Sequence, residues 1–396
     1  MESKLFNVQS AIHITCPNKI SPYLRKEVEE LGYTVKAELP AGIEMEGTLE
    51  DCIRLNLNLQ TAHRVLYLIR KFKVNSPDQL YHAASDVKWE QYIHADGYFS
   101  IISHVEHATI NNSTFASLKC KDAIADYFLQ KFGSRPNSGP DRNRAVIFLH
   151  WKGEDASLYI DTSGEALSKH GYRKLPHKAP LQESLASAMI LASSWDHHSP
   201  FVNPMCGSGT LAIEAALIAT NRKPGLLRSN YGFMHIKDYN EATYRNIRSE
   251  LKSKIKKTVS PVIASDIDPM AIQAARQNAA TAGVDHLISF HLCDFRDTPV
   301  PSQAGVVMLN PEYGERLGEE SKLEEVYKSI GDYFKQSCHG YTGYIFTGNP
   351  SLSKKIGLKT KRKLEFYNST IECRLLEFEL YSGTRKNKKE SEQQGN

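Results

Sequence analysis

The sequence predicts an α/β protein in which a doubly wound parallel sheet follows two smaller α+β layers. From about residue 161 onward, short apolar strands alternate with helix-length segments, the pattern of a parallel sheet with crossover helices. Residues 1 to about 160 mix short strands and helices without that alternation. A glycine-rich turn, Gly207-Ser208-Gly209, joins an apolar strand to an apolar helix, the junction at which open α/β sheets take up ligands. At 396 residues the chain exceeds one ordinary domain.

Taken in order, residues 11–15 read as a strand, residues 21–31 as a helix closed by Gly32, and residues 34–38 and 42–46 as further strands. Another helix begins near Leu49, with Thr48 or Glu50 in its cap region. Residues 61–71 alternate basic and apolar side chains, with Arg64, Arg70 and Lys71 among Ala62, Val65, Leu66, Leu68 and Ile69. A strand at 98–104 precedes a helix over 113–132, in which Phe115, Leu118, Ala123, Ile124 and Phe128 recur at helical spacing. Strands at 144–152 and 156–161 flank the turn Gly153-Glu154-Asp155. Then follow a helix over 182–194, a strand to Asn203, a helix over 211–220, a strand at 262–265, a helix over 269–282, and strands at 288–292 and 306–309. A helix over 323–336, a strand at 342–347 and an antiparallel pair, 361–367 and 371–381, complete the order. The expected boundaries are 1–58, 59–160 and 161–384, with a polar, disordered tail at 385–396.

Composition narrows the class. Hydrophobic residues make up 41% and charged residues 24%, the balance of a soluble globular chain, and no apolar run reaches the roughly 18 residues of a membrane span. Met1-Glu2-Ser3-Lys4-Leu5-Phe6 lacks the long apolar stretch of a secretory signal. Seven cysteines stand singly, without C-x-x-C spacing. This argues against a disulfide framework and a structural zinc site, and for a reducing cytoplasm. His197-His198 has no third ligand at helical spacing and reads as a loop, so no metal is expected. A net charge of +4 permits nucleic-acid binding without requiring it.

The chemistry sits in the second half. In Asn203-Pro204-Met205-Cys206-Gly207-Ser208-Gly209-Thr210 the glycines let a ligand approach the backbone, beside the unpaired N–H groups of a helix start. A dinucleotide fingerprint would need a third glycine. Without it, the turn suits a small non-phosphorylated group such as the methionine moiety of S-adenosylmethionine. Asp266, at a strand's carboxyl end, is placed to accept ribose hydroxyls. Asp268 before Pro269 reads as a helix N-cap, and Asp294, after the next strand, as an acceptor for an adenine amino group.

Asn310-Pro311-Glu312-Tyr313 follows a short apolar strand. Methylating an exocyclic amine is difficult because the nitrogen lone pair is delocalised into the ring. Acceptors at both N–H groups, Asn310 Oδ1 and the Pro311 carbonyl, orient the amine and stabilise the positive charge that develops. Tyr313 supplies a stacking surface for the base, and a paired base must first be extruded to reach it.

Assembled, these residues resemble the THUMP-containing RNA methyltransferases, and among them the bacterial 23S ribosomal RNA guanine-N2 methyltransferase family in a form with one catalytic domain. The resemblance rests on Leu55-Asn56-Leu57, Thr61 to Leu66, Ser117 to Ile124, Asp161-Thr162-Ser163-Gly164, His170-Gly171-Tyr172-Arg173 and Ala179-Pro180-Leu181. It continues through the Asn203–Thr210 turn, Ser265 to Pro269 and Asn310 to Leu317, and covers nearly all of residues 1–384. It implies a ferredoxin-like domain over 1–58, an RNA-binding THUMP domain over 59–160 and a Rossmann-like class I domain over 161–384 that uses S-adenosylmethionine on ribosomal RNA or a ribosomal precursor. The family's cofactor site maps onto Asn203, Cys206, Gly207, Ser208, Gly209, Thr210, Asp266 and Asp294, and its base site onto Asn310, Pro311 and Tyr313. Residues 221–260, rich in Lys and Arg, resemble the family's helical insertion. Where the family usually carries Pro-Pro, this chain has Pro311-Glu312. Some members add a second, C-terminal methyltransferase domain; ending at Asn396, the chain is expected to have no room for one. Two alternatives stay open: adenine-N6 methylation of RNA or DNA, and an RNA-binding or assembly protein whose catalysis has lapsed through Glu312.

Overall fold

The computed structural model describes residues 5–107, 110, 112–175, 181–313 and 320–381. Ala179-Pro180, Gly314 to Leu317 and the tail expected to be disordered lie outside these residues. The chain divides into two compact units, Met1–His170 with Lys223–Ser253, and Gly171–Arg222 with Lys254–Asn396.

In the first unit the elements run β1 (Ser10–Thr15), α1 (Ser21–Glu30), β2 (Val35–Leu39), β3 (Gly42–Gly47), α2 (Leu49–Asn58), β4 (Arg64–Lys73), α3 (Pro77–Ser85), β5 (Tyr98–Glu106), α4 (Ser113–Phe132), β6 (Asn137–Ser138), β7 (Ala145–Lys152) and β8 (Asp155–Asp161). Thr48 caps α2 in a reciprocal capping box: its hydroxyl accepts from the Asp51 N–H and its own N–H donates to the Asp51 carboxylate. Helix α4 ends at Gly133, whose φ of 70° is left-handed. The strands form one eight-stranded sheet in the order β2-β3-β1-β4-β8-β7-β5-β6. Strand β4, the basic-and-apolar stretch of the sequence, pairs antiparallel with β1 on one edge and β8 on the other. It thereby makes one continuous sheet of what the sequence divides into two layers.

The second unit begins with α5 (Glu183–Ala192), β9 (Phe201–Pro204) and α6 (Thr210–Ala219). The chain then passes through α7 (Glu241–Ser253) and continues with β10 (Val262–Asp266), α8 (Pro269–Ala282), β11 (Ile288–Leu292), β12 (Val306–Leu309), α9 (Glu320–Ser337), β13 (Thr342–Thr347), α10 (Pro350–Ser353), β14 (Arg362–Asn368) and β15 (Ile371–Glu379). The seven strands order as β11-β10-β9-β12-β13-β15-β14. From β11 through β13 the pairings are parallel, and β15 then runs antiparallel to both β13 and β14. Central strands β9 and β12 are buried along their whole length, as strands covered on both faces must be. Val202, Val307, Leu309 and Ile345 pack with Tyr327, Ile330 and Phe334 of α9 in one core cluster.

The span expected as one domain from 161 to 384 is divided in the structure. Residues 223–253, including α7, belong to the first unit. Leu226, Tyr231, Phe233 and Ile236 are buried there. Backbone approach requires two glycines: a Cβ on Gly225 would lie 2.5 Å from Leu57 Cα, and one on Gly232 2.2 Å from the Asp161 carbonyl oxygen.

Candidate active site

The site lies at the carboxyl ends of β9, β10, β11 and β12, where parallel strands leave a crevice. After Pro204 the chain turns through Met205 and Gly207, both at positive φ (53° and 54°), and Gly209 at 84°. The two glycines differ in purpose. A Cβ on Gly207 would meet nothing within 4 Å, whereas one on Gly209 would lie 2.8 Å from Ala275 Cβ. Gly209 therefore lets the turn close on α8, and Gly207 leaves its surface open. Buried Thr210 starts α6, and its hydroxyl accepts from Arg173 Nη2 at 3.0 Å.

Asp266 braces this turn. Its Oδ2 accepts from the Gly207 N–H at 2.9 Å and its Oδ1 from the Asp268 N–H at 3.0 Å. A carboxylate offers about four acceptor positions, so about two remain. Asp268 caps α8 from Oδ1 to the Met270 N–H at 2.8 Å. Asp294 is more heavily engaged: Oδ1 accepts from the Arg296 N–H (2.9 Å) and Nε (2.8 Å), and Oδ2 from Arg296 Nη2 (2.9 Å). The hydrogen bonds from the Arg296 side chain hold its carboxyl below the usual range. Burial pushes the Cys206 thiol up, so it stays a neutral, protonated lining group.

Asn203 is buried; its Nδ2 donates to the Met308 carbonyl at 2.9 Å on neighbouring β12. Its Oδ1, and Oδ1 of Asn310, are buried without a hydrogen-bond partner among the described residues. Strands β9 and β12 pair in parallel, so both oxygens stand at neighbouring strand ends. A buried acceptor left unpaired costs about 1–3 kcal/mol, which an N–H donor arriving there would offset. Pro311 is buried, Glu312 exposed and Tyr313 half-buried. Each of the expected site residues thus falls near the end of β9, on the turn after it, or at the ends of β10, β11 and β12.

A family model described as RMKL-like, methyltransferase domain, matches residues 170–377. The RlmL ferredoxin-like domain matches residues 11–66 and the THUMP domain residues 74–161. The chain belongs to the RMKL-like methyltransferase family. Among its relatives, the ribosomal RNA large subunit methyltransferase K/L of Syntrophotalea carbinolica is 37% identical over 377 residues, 92% of this chain and 53% of that protein. The protein of the same name from Allochromatium vinosum is 33% identical over 375 residues, again 92% of this chain and 51% of the relative. The chain spans about half the length of the curated relatives it matches. Of solved structures, SMU.472 complexed with SAH superposes with a TM-score of 0.85 at 26% identity, covering 95% of this chain and 99% of that one. A Listeria monocytogenes structure, described as a predicted N6-adenine-specific DNA methylase, gives 0.84 at 28% identity, covering 95% and 97%.

Within this RMKL-like frame the structure adds residues the sequence reading passed over. Ile267 is 70% exposed and Leu292 59%, and Leu292 lies beside Asp266 in the β10–β11 register. Large apolar side chains left in water at two adjacent strand ends make an apolar shelf beside the carboxylate. Position was the available signal, since each ends or follows a strand next to an acidic residue. Asn278 of α8 is fully buried and anchors the turn from behind. Its Nδ2 donates to the Ser208 and Leu175 carbonyls (3.2 and 3.0 Å), and its Oδ1 accepts from the Lys174 and Leu175 N–H groups (2.9 and 3.1 Å). The Tyr172-Arg173 segment is fastened likewise. Tyr172 donates to buried Glu214 at 2.8 Å, and Arg173 lies 3.5 Å from the carboxylate of Glu183. Arg64, counted among the basic residues of 61–71, is turned inward onto Asp161 and the Gly164 carbonyl, which leaves Arg70 and Lys71 as that segment's exposed cations.

Among the described residues no cluster of His, Cys, Asp and Glu is placed to hold a metal, and no helix is long and apolar enough to cross a membrane.

Proposed function

We propose that the protein transfers the methyl group of S-adenosylmethionine to the exocyclic N2 amine of a guanine in 23S ribosomal RNA. The observation that carries this reading is the pair of buried, partnerless carboxamide oxygens, Asn203 Oδ1 and Asn310 Oδ1, at neighbouring strand ends next to an open glycine turn. It is supported by relatives named for ribosomal RNA large subunit methylation that match 92% of the chain, and by a close structural neighbour complexed with SAH.

The residues present fit the cofactor. Gly207 leaves open space where any side chain would project, and Asp266 keeps unused acceptor positions for ribose hydroxyls. Asn203, Cys206 to Thr210, Asp266 and Asp294 would hold the group, with Ile267 and Leu292 as apolar surface against its base. S-adenosylmethionine supplies, when bound, an electrophilic methyl carbon on a sulfonium sulfur. Asn310 Oδ1 and the Pro311 carbonyl accept the two N–H groups of the target amine, which aims the nitrogen lone pair and stabilises positive charge on that nitrogen before it loses a proton. Tyr313 stacks on the base, worth about 1–3 kcal/mol by analogy with other aromatic contacts to bases. This reading makes the enzyme cytoplasmic, with ribosomal RNA or a ribosomal precursor as its partner, held in part by the THUMP-containing unit.

The description of the Listeria neighbour favours a second reading, adenine-N6 methylation, because the same acceptors serve either amine. Nucleoside mass spectrometry of ribosomal RNA from cells with and without the gene separates the two. Loss of N2-methylguanosine, restored by the purified protein, is expected. Loss of N6-methyladenosine would transfer the activity to adenine, and unchanged methylated bases would leave an RNA-binding protein without turnover.

A further inference from the structure

Tyr313 is held from two places outside its own loop. Asn368, the last residue of β14, donates from Nδ2 to the Tyr313 hydroxyl at 2.7 Å. Asn349, which follows β13, donates from Nδ2 to the Tyr313 carbonyl at 3.4 Å. Asn349 is itself immobilised. Its Oδ1 caps α10 by accepting from the Ser351 and Leu352 N–H groups (3.0 and 3.1 Å), and its own N–H donates to Thr347 Oγ1 at 3.1 Å. The tyrosine ring also lies against Gly348, where a Cβ would come within 3.2 Å of Tyr313 Cε2, 3.3 Å of Cys373 Sγ and 2.9 Å of Ile371 Cγ2. Ile371 and Cys373 belong to β15, and Ile371 pairs with Asn368 across the hairpin.

We propose that Asn368 is a positioning residue for the reaction, holding the Tyr313 ring in place through its hydroxyl while Asn349 fixes that residue's backbone. The proposal rests on the base-stacking role assigned above. A tyrosine turns about two side-chain bonds. The hydroxyl lies on the axis of the second, so a hydrogen bond there restrains rotation about the first, Cα–Cβ, and fixes where the ring stands, while the turn of its plane is left to the packing against Gly348. Gly348 closes the space into which the ring edge could relax. The C-terminal hairpin, an antiparallel addition to a parallel sheet, thereby contributes a side chain to the base site from the far edge of the sheet.

The test is a double-mutant cycle, read on ribosomal RNA from a strain lacking the gene. Asn368→Leu is expected to lower kcat about 10-fold or more, the scale of loss for a misplaced contact group, with KM for S-adenosylmethionine unchanged. Tyr313→Phe, which removes the acceptor, is expected to lower kcat comparably, and the double variant no further than either single one. Losses that multiply, or an unaffected Asn368→Leu, would overturn the proposal. Crystal structures of the variants give a readout independent of turnover: the Tyr313 ring is expected to leave its position in Asn368→Leu, and an unmoved ring sinks the idea. Should Asn368→Leu not fold, the ring position in Tyr313→Phe carries the same test. Absence of methyl transfer by the wild-type protein would remove the functional reading, while the ring positions would still decide whether Asn368 orients residue 313.

Discussion

Segments that carry the resemblance, each at the end of a strand, use their polar groups in two opposite ways. In Asp161-Thr162-Ser163-Gly164, after β8, the chain bonds to itself. Asp161 is fully buried, with Oδ2 on Arg64 and Oδ1 accepting from the Ser163 and Gly164 N–H groups. The Thr162 hydroxyl donates to the Val65 carbonyl and accepts from Asn56 Nδ2, and the Ser163 hydroxyl accepts from the Val65 N–H. In Asn203 to Thr210 and Asn310 to Tyr313, buried acceptors are left over and a glycine faces open space. Motif residues of similar chemistry thus divide into those that lock the fold and those that await a ligand, and the division shows only when their partners are traced.

The largest effect expected from this contrast is on catalysis. Asn310→Ala should cost about 10²–10³-fold in kcat, as loss of a preorganised charge-stabilising group does, with a melting temperature that holds or rises, since the unpaired buried oxygen is removed. A variant that keeps its turnover would erase the distinction. Asp161→Ala should do the converse. It leaves the half-buried Arg64 guanidinium without its carboxylate and two buried N–H groups without an acceptor, so stability should fall by about 2–4 kcal/mol, measured by denaturant unfolding, while turnover per folded molecule persists. Acid should act next, and unevenly. His13, His150 and His235 have pKa values lowered from 6.5, chiefly by burial, and all three belong to the first unit. The unfolded chain takes up their protons first, so their burial costs nothing at pH 7 and stability declines as pH falls through 6.5. Hydrogen exchange should therefore quicken in β1 and β7 before β9 and β12; simultaneous opening would argue against it. The smallest effect is at Asp294. Arg296→Ala should free its carboxylate and tighten S-adenosylmethionine binding by roughly 2- to 5-fold, the scale of an exposed ion pair, measured calorimetrically. Weaker binding would mean that Arg296 itself touches the ligand.

Much of this was legible in the sequence, and the rest failed for identifiable reasons. Helices α4 and α8 and strands β11, β12 and β13 fall at the residues that periodicity and caps predict, because each has a strong local signal, such as Asp268-Pro269 at the start of α8 and Gly283 after it. Helix α3 was missed: Pro77–Ser85 is short and polar, and it buries only Leu80 and Ala84. The site residues were legible as types at strand ends. Their supports were not, because Asn278 and Asn368 act across long sequence separations on Ser208 and Tyr313. Nor does anything local mark residues 223–253 as belonging to the first unit. Tyr231 and Phe233 are large aromatics that any core could bury, and which core takes them depends on packing alone.

That assignment has a consequence for the timing of synthesis. The first unit lacks part of its core when residue 170 is made, because Tyr231 and Phe233 and the glycines that admit them, Gly225 and Gly232, are encoded later. Residues 171 to 253 take roughly 4 to 17 s to add at about 5–20 residues per second. Through that interval the eight-stranded sheet waits on the ribosome with α2 and the end of β8 uncovered, and a chain released early at residue 170 would be an incomplete fold rather than a smaller domain.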